Sequence, residues 1–404
     1  MKYCKKCVYP FIGVNLHIDE DGICSSCKTF EKLENISKES WITKKEKFEK
    51  IINDLTKKNK SNYDCLIPVS GGKDSYYQTH IIVKEYGLKP LLMTYHGNNF
   101  LPEGDFNRDK MRDNFNADHI VWGPSVEVLK KLNRIGFKKM GDMNWHNHCG
   151  INTSPITVAA KFKIPLIIWC ELPWDISGMH DPEDFAEFSA RVRHEHELRG
   201  FEWYDLINDP KDTLTEKDML WAKYPSDEEI LNVGIRGIFL GNYFKWDPNK
   251  HAKMIKEKYG WQQAKQPFER TYRMFSNLDD RYENGVHDLM KFIKFGYGRC
   301  SDHASKDIRT GHMKRDKAVH LVKKHDHIVT SDLKHWLNYV QMSEDEFWSI
   351  ADTFRDPNVW RIEQDKKWYK HTLWGTYEPF GDVHLNKNQI DNFIAKQYQI
   401  KKKN

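Results

Sequence analysis

From residue 63 the chain alternates short apolar runs with longer stretches whose apolar residues recur at helical spacing. "YDCLIPV" (63–69) reads as a buried strand and residues 75–87 as a helix stopped by Gly87. "KPLLMTYH" then reads as a strand, "DFNRDKMRDNFNA" as a helix and "DHIVWG" as a strand. Two helical patterns, "SVEVLKKLNRIGFKKM" and "SPITVAAKFK", lead to a fourth strand, "IPLIIWCEL". Short apolar strands separated by helices predict an α/β domain, a doubly wound parallel sheet covered on both faces, with right-handed crossovers. Its expected extent is 61–180. Beyond it charged and aromatic residues mix, with most of the 14 tryptophans, and helical spacing dominates. Residues 181–404 are therefore expected to be mainly helical and packed on the sheet. Residues 31–60, rich in Lys and Glu with apolar residues at helical spacing, predict a linker helix between this domain and a short cysteine-rich module at 1–30.

Composition narrows the function. At 404 residues, 39% hydrophobic and 13% aromatic, the chain has ample material for a core. Its 63 basic and 58 acidic residues leave a net charge of only +5, too little for a large nucleic-acid-binding field. The longest apolar stretch, "IPLIIWCELPW", is too short to span a membrane, and "MKYCKKCVYP" lacks the apolar core of a signal peptide. A soluble, cytoplasmic protein without nucleic-acid or membrane partners is expected.

Cys4, Cys7, Cys24 and Cys27 form CxxC-x16-CxxC, the spacing of two zinc knuckles. Four thiolates suit tetrahedral zinc and leave no open coordination position, so a structural Zn2+ in a zinc ribbon is expected. Cys65 and Cys170 sit in apolar strands and read as core. Cys149, in "NWHNHCGIN", has His146 and His148 beside it and is a candidate catalytic thiol, although it lacks a CxxC partner.

The strongest motif is "SGGKDS", Ser70–Gly71–Gly72–Lys73–Asp74–Ser75, between the first strand and the first helix. Ligands of open parallel sheets bind beyond the carboxyl ends of the strands. Glycines let successive N–H groups converge on one point, and the helix N-terminus adds its positive end. Ser70 and Ser75 add hydroxyls and Lys73 a cation, which together suit a phosphate chain. Asp74 can brace the loop or reach Mg2+. A Walker pattern is absent.

These residues resemble the SGGxDS pyrophosphate loop of the N-type ATP pyrophosphatases, the PP-loop superfamily. With "CKKCVYP", "DEDGICSSC" and "GYGRCSDHASKDIRTGHMKRDKAV", the chain is similar to the N-acetyl sugar amidotransferases of pseudaminic acid and lipopolysaccharide biosynthesis. The resemblance implies that ATP transfers AMP to the acetamido oxygen of a sugar or nucleotide-sugar, and that ammonia then displaces AMP. It also implies a partner glutaminase with an ammonia-conducting barrel. Lys73 and Asp74 are the expected catalytic residues, with Glu171 at the end of the fourth strand positioning substrate or Mg2+. In the superfamily the second strand's end borders the adenine, which brings in Tyr95, His96 and Asn98. Asp279, Asp280, His287, Asp288, Lys291, Lys294, Arg299, Arg309, His312 and Arg315 crowd one late stretch. Of these, Asp280, His287, Lys291, Arg299 and Arg309 are the candidates for substrate. A glutaminase needs an activated nucleophile, yet no cysteine stands at position 2 and no GxCxG occurs. The chain by itself is expected to use ammonia. Two other readings stand beside this one: a tRNA thiolase using the same activation, and a non-catalytic nucleotide-binding partner.

Overall fold

The computed structural model describes residues 3–57, 59–98, 100–170, 180–280, 283–371 and 379–403. Five parallel strands, β1 (Cys65–Pro68), β2 (Pro90–Tyr95), β3 (Asp118–Trp122), β4 (Leu166–Trp169) and β5 (Arg236–Phe239), form one sheet in the order β3-β2-β1-β4-β5. Their side chains alternate between two cores. Cys65, Ile67, Leu92, Ile168 and Ile238 face one side, and Leu66, Leu91, Met93, Ile167 and Trp169 the other. Burial on both faces explains why β2 is buried at every position.

The first face is covered by α2 (Lys38–Thr56), which follows α1 (Ser25–Glu34), and by α3 (Lys73–His80) and α4 (Pro102–Phe115). After α5 (Val126–Met140), α6 (Trp145–Phe162) covers the second face through Ile156, Val158 and Ala159. A one-turn α7 (Ala190–Val192) and α8 (Asp227–Val233) precede β5, and α9 (Pro248–Tyr259) returns to the first face, where Ile255 joins the core. The remainder is α10 (Glu283–Phe295), α11 (Arg299–Arg309), α12 (Arg315–His325), α13 (Asp332–Val340), α14 (Glu344–Ala351), the antiparallel hairpin β6 (Trp360–Ile362) and β7 (Trp368–Lys370), and α15 (Lys387–Lys403). Helices α5, α10, α13 and α14 share a core around Phe137, Trp336 and Phe347. No described helix is long and apolar enough to cross a membrane.

The doubly wound sheet and the mainly helical C-terminal region are as expected. Two features differ from the sequence reading. The sheet takes β5 from the stretch read as helical, so it extends past residue 180. The 31–60 segment also breaks at Asn35–Ser37, because Ser37 caps α2 by accepting from the Ser40 amide at 3.1 Å.

Candidate active site

The strand order reverses at β1, which runs β2 and β3 on one side and β4 and β5 on the other. The crevice at the carboxyl ends of β1 and β4 is thus the topological switch point. "SGGKDS" occupies it. Gly71 has φ +80°, which brings its Cα against the Arg108 backbone; a Cβ there would lie 2.6 Å from Arg108 N and 2.7 Å from its Cα. Gly72 is the N-cap of α3, and no side chain caps it, so the first-turn amides are left for a ligand. The loop is braced from within and from outside. Ser70 N donates to Ser75 Oγ at 3.0 Å, Gly72 N to Ser70 Oγ at 3.3 Å, and Trp261 Nε1 to Gly71 O at 2.9 Å.

Lys73 and Asp74 form an ion pair at 2.5 Å. Burial pushes the Asp74 carboxyl up, but Lys73, His251 and Lys306 outweigh it and hold the group ionised well below the usual carboxylate range. His251 stacks on Tyr77 at 3.5 Å, with Nδ1 3.8 Å from Asp74 Oδ1.

The "NLDD" turn faces the loop. Leu101 N donates to Leu278 O at 3.0 Å, which pins the turn to the start of α4. Asp279 lies against Ser70 and Lys73. It keeps an exposed edge, yet the surrounding protein desolvates it and raises its carboxyl, with Ser70, Lys73 and Arg299 opposing. Burial, Glu283 and Asp279 raise Asp280 well above the usual range. Its Oδ2 accepts from Asn144 Nδ2 at 3.2 Å, and its Oδ1 accepts from the Glu283 amide at 2.9 Å. Behind the turn, His303 Nδ1 lies 2.7 Å from Thr271 Oγ1, and burial together with Arg273, Arg299, Lys73 and Lys306 keeps its imidazole neutral.

Other expected residues are distributed differently. His96 stays at the cleft, stacked on Phe100 at 4.9 Å, and the Arg108 guanidinium covers the same Phe100 ring at 4.9 Å. Tyr95 is turned inward, its hydroxyl 3.2 Å from His146 Nδ1. His146 Nε2 meets Glu283 Oε1 at 2.9 Å, and Asn133 and Asn147 donate to the same carboxylate, each at 2.8 Å. His287 Nδ1 lies 3.0 Å from Asp142 Oδ1. Arg299 Nε donates to Asp288 at 3.0 Å, which holds it beside the cleft. Glu171 lies outside the described residues.

Lys291 and Arg309 are drawn to the cysteine module instead. Lys291 pairs with Asp302 at 2.6 Å, and Asp302 also accepts from the Tyr9 hydroxyl at 2.9 Å. Arg309 sits over Tyr9 and Phe30, at 5.2 Å from each ring. The module fits zinc. The sulfurs of Cys4, Cys7, Cys24 and Cys27 all lie within 4.8 Å of one another, with Cys7–Cys24 at 3.7 Å and Cys4–Cys27 at 4.0 Å. Tetrahedral zinc with bonds of about 2.3 Å requires sulfurs roughly 3.8 Å apart. Backbone amides of Cys7 and Cys24 donate to Cys4 Sγ at 3.5 and 3.3 Å, which stabilises thiolate charge. Arg309 adds a buried positive charge beside the sulfurs. No other group of three or more metal-binding side chains gathers among the described residues. Asp74 and Asp279 are the carboxylates at the loop that could meet a Mg2+ ion.

Cys149 is fully buried in α6, with Sγ 3.7 Å from Thr153 Oγ1 and 3.9 Å from Arg193 Nη2. Burial pushes its thiol up to about 11, with Arg193 and Thr153 opposing, so it is protonated at neutral pH. Iodoacetamide is expected to leave it unmodified in the folded chain, and mass spectrometry of the alkylated protein checks this; modification without unfolding would restore the thiol as a reactive candidate.

Sequence reasoning missed Arg108, Trp261, Asn144 and His251, which brace the loop and turn from separate elements. No local signal marks them, because each reaches the loop or the turn only through folding.

Residues 269–373 match the family described as LPS biosynthesis protein WbpG-like, C-terminal domain. No curated protein of similar sequence was found. One solved structure, the U34-tRNA thiolase NcsA from Methanococcus maripaludis with its 4Fe-4S cluster, is similar over 77% of this chain and 87% of that one, at 14% identity and a TM-score of 0.29. The WbpG-like stretch supplies Asp279, Asp280, Arg299 and His303 to the cleft before "SGGKDS", so the loop and the WbpG-like residues meet in one site.

Proposed function

We propose that this chain is an ATP-dependent amidotransferase that forms AMP and pyrophosphate, and converts the acetamido group of an N-acetyl sugar into an acetamidino group for surface-polysaccharide synthesis. The observation that carries the reading is the anion-cradling loop at the sheet's switch point, faced by acidic and basic residues of the WbpG-like stretch. The acetamido oxygen attacks the α-phosphorus of ATP, the bond to the β,γ-phosphates breaks, and pyrophosphate leaves on the loop amides and Lys73. Ammonia then adds to the imidate carbon, and AMP departs with the former acetamido oxygen. Amide carbons are poor electrophiles, and adenylation supplies the leaving group. The protein's part is positioning and charge stabilisation. His96 and Phe100 offer a flat wall for adenine. Asp279 meets the phosphate side, and the Asp280–Asn144 pair meets the sugar side. Mg2+ would screen the phosphates, and zinc would hold the cysteine module without entering the chemistry. The reading places the protein in the cytoplasm, fed with ammonia by a glutaminase and barrel partner.

The test is AMP and pyrophosphate release from ATP and ammonium chloride across free, UDP-linked and CMP-linked acetamido sugars. AMP is expected in equal amount to an acetamidino product with at least one sugar class. AMP formed with tRNA and a sulfur donor, and with no sugar, would favour the thiolase. ATP binding without turnover would favour the binding module.

A further inference from the structure

Asp74 and His251 face each other across a gap that neither closes. His251 Nδ1 lies 3.8 Å from Asp74 Oδ1, beyond hydrogen-bond reach. Both atoms are shielded from solvent, and neither has a hydrogen-bond partner. We propose that His251 is a positioning residue of the nucleotide loop: when phosphate draws Lys73 away from Asp74, His251 takes the carboxylate through Nδ1–H and holds it in place. The inference rests on the reading that "SGGKDS" binds the phosphates of ATP, and its site rests on the following geometry.

The imidazole is held as a donor. His251 is 4% exposed and lies in the first turn of α9, which packs against α3. Tyr77 stacks on it with ring planes 9° apart, and Trp246 stands perpendicular to it at 4.7 Å. These two walls fix the plane of the ring. Its Nε2 accepts from the Asp247 amide at 3.4 Å, so the proton of the neutral ring sits on Nδ1. Nδ1–H and Asp74 Oδ1 are thus a donor and an acceptor, both buried and both unused, on either side of one gap. Buried polar atoms without partners are unfavourable. Solvent reaches neither atom, so the match available to each is the other.

Lys73 keeps them apart. Its Nζ pairs with the other oxygen, Asp74 Oδ2, at 2.5 Å. The Asp74 side chain is 31% exposed although Oδ1 is buried, so its exposed part lies away from His251. A triphosphate on the loop amides competes for Lys73, because phosphate oxygens carry more charge than one carboxylate. Once Lys73 turns to them, Asp74 is left without its cation beside new negative charge. A shift of about 1 Å brings Oδ1 to an ordinary N–H···O distance from Nδ1. The charge-assisted bond formed there offsets the lost ion pair and holds the carboxylate back from the phosphates. Packing is the competing account: a ring between Tyr77 and Trp246 supports α9 whatever its nitrogens do. Packing predicts lower stability when the ring is lost, and unchanged nucleotide affinity when only the donor is lost.

The experiment measures binding of α,β-methylene-ATP, which cannot release pyrophosphate, to the full chain by titration calorimetry in excess magnesium chloride. His251→Phe keeps a ring between Tyr77 and Trp246 and removes the donor. It is expected to melt near the wild-type temperature and to bind the analogue about tenfold or more weakly. His251→Asn keeps an N–H donor near the place of Nδ1 and removes the ring. It should melt lower, yet bind within about threefold of the wild type. In an Asp74→Ala background, His251→Phe should add less than about twofold. Wild-type affinity in His251→Phe, or an equal loss in both backgrounds, overturns the positioning role. No binding of the analogue by the wild type overturns the nucleotide reading instead. A spectroscopic measurement uses the wild type itself. With isotopically labelled histidine, the Nδ1 proton of His251, assigned by its loss in either variant, should move downfield when the analogue is added. An unmoved resonance in the saturated protein overturns the exchange of partners.

Discussion

Gly71→Val should abolish AMP formation while leaving the parallel sheet folded. A valine at Gly71 meets two obstacles at once. The residue sits at φ +80°, a conformation that β-branched side chains rarely adopt, and its first side-chain carbon would fall 2.6 Å from a backbone nitrogen. Neither Arg108 N nor its Cα can swing aside as a flexible side chain would, because α4 is anchored at its start by the Leu101–Leu278 backbone bond of 3.0 Å. The loop must shift, and its amides lose their common focus. Lys73→Ala leaves the backbone in place and removes a cation, and Ser70→Ala removes a hydroxyl together with the brace it gives Gly72 N. Each should lower kcat by about 2–4 kcal/mol of transition-state stabilisation, roughly 30- to 1000-fold. Steady-state AMP release, with far-UV circular dichroism as the folding control, decides the matter. Wild-type rates in all three variants would place the nucleotide site elsewhere.

The loop was legible from the sequence because its chemistry is local: six consecutive residues carry the turn, the donors and the helix start. The four strands before residue 180 were legible for a related reason. Strands buried on both faces, such as Pro90–Tyr95, read as unbroken apolar runs. β5 was not, because its four residues Arg236–Phe239 lie between two glycines and begin with an arginine whose guanidinium pairs with Glu187. Only pairing with β4 makes that stretch a strand.

The partners in the site were less legible, because what a charged side chain does depends on what folding brings beside it. Arg299 and Arg309 lie on one short helix and look alike in the chain. Yet Arg299 is held at the cleft by Asp288, while Arg309 lies over Tyr9 and Phe30. Tyr95 likewise ends a strand at the expected edge. Its hydroxyl is nonetheless committed to His146 and through it to Glu283, nearly two hundred residues further along. Spacing carries no information on contacts of that range.

The cysteine module provides the second large effect. From the sequence, Cys24→Ser is expected to destabilise residues 1–30 and leave the sheet domain folded. The packing extends the damage into the C-terminal region. Val8 is fully buried among Cys300, Ala304, Ala318 and Val322 of α11 and α12. Arg315 donates to the Cys7 and Cys4 carbonyl oxygens, both at 3.0 Å, and the Val14 amide donates to the Tyr297 hydroxyl at 3.2 Å. Structural zinc contributes on the order of 10–16 kcal/mol to isolated finger peptides, so a module with few apolar residues of its own should not survive loss of a ligand. With it go the Tyr9–Asp302 bond of 2.9 Å and the cover over α11, the helix that begins at Arg299 beside the cleft. Cys24→Ser, or removal of metal by a chelator, should therefore raise hydrogen exchange across both 1–30 and 299–325 and leave β1 to β5 protected. AMP formation should fall even though no cysteine of the module touches the nucleotide loop. Elemental analysis of the reductively purified wild type should return about one zinc per chain. Iron in its place, no metal at all, or exchange that rises only within 1–30, would each contradict this account of how the module holds the C-terminal half against the site.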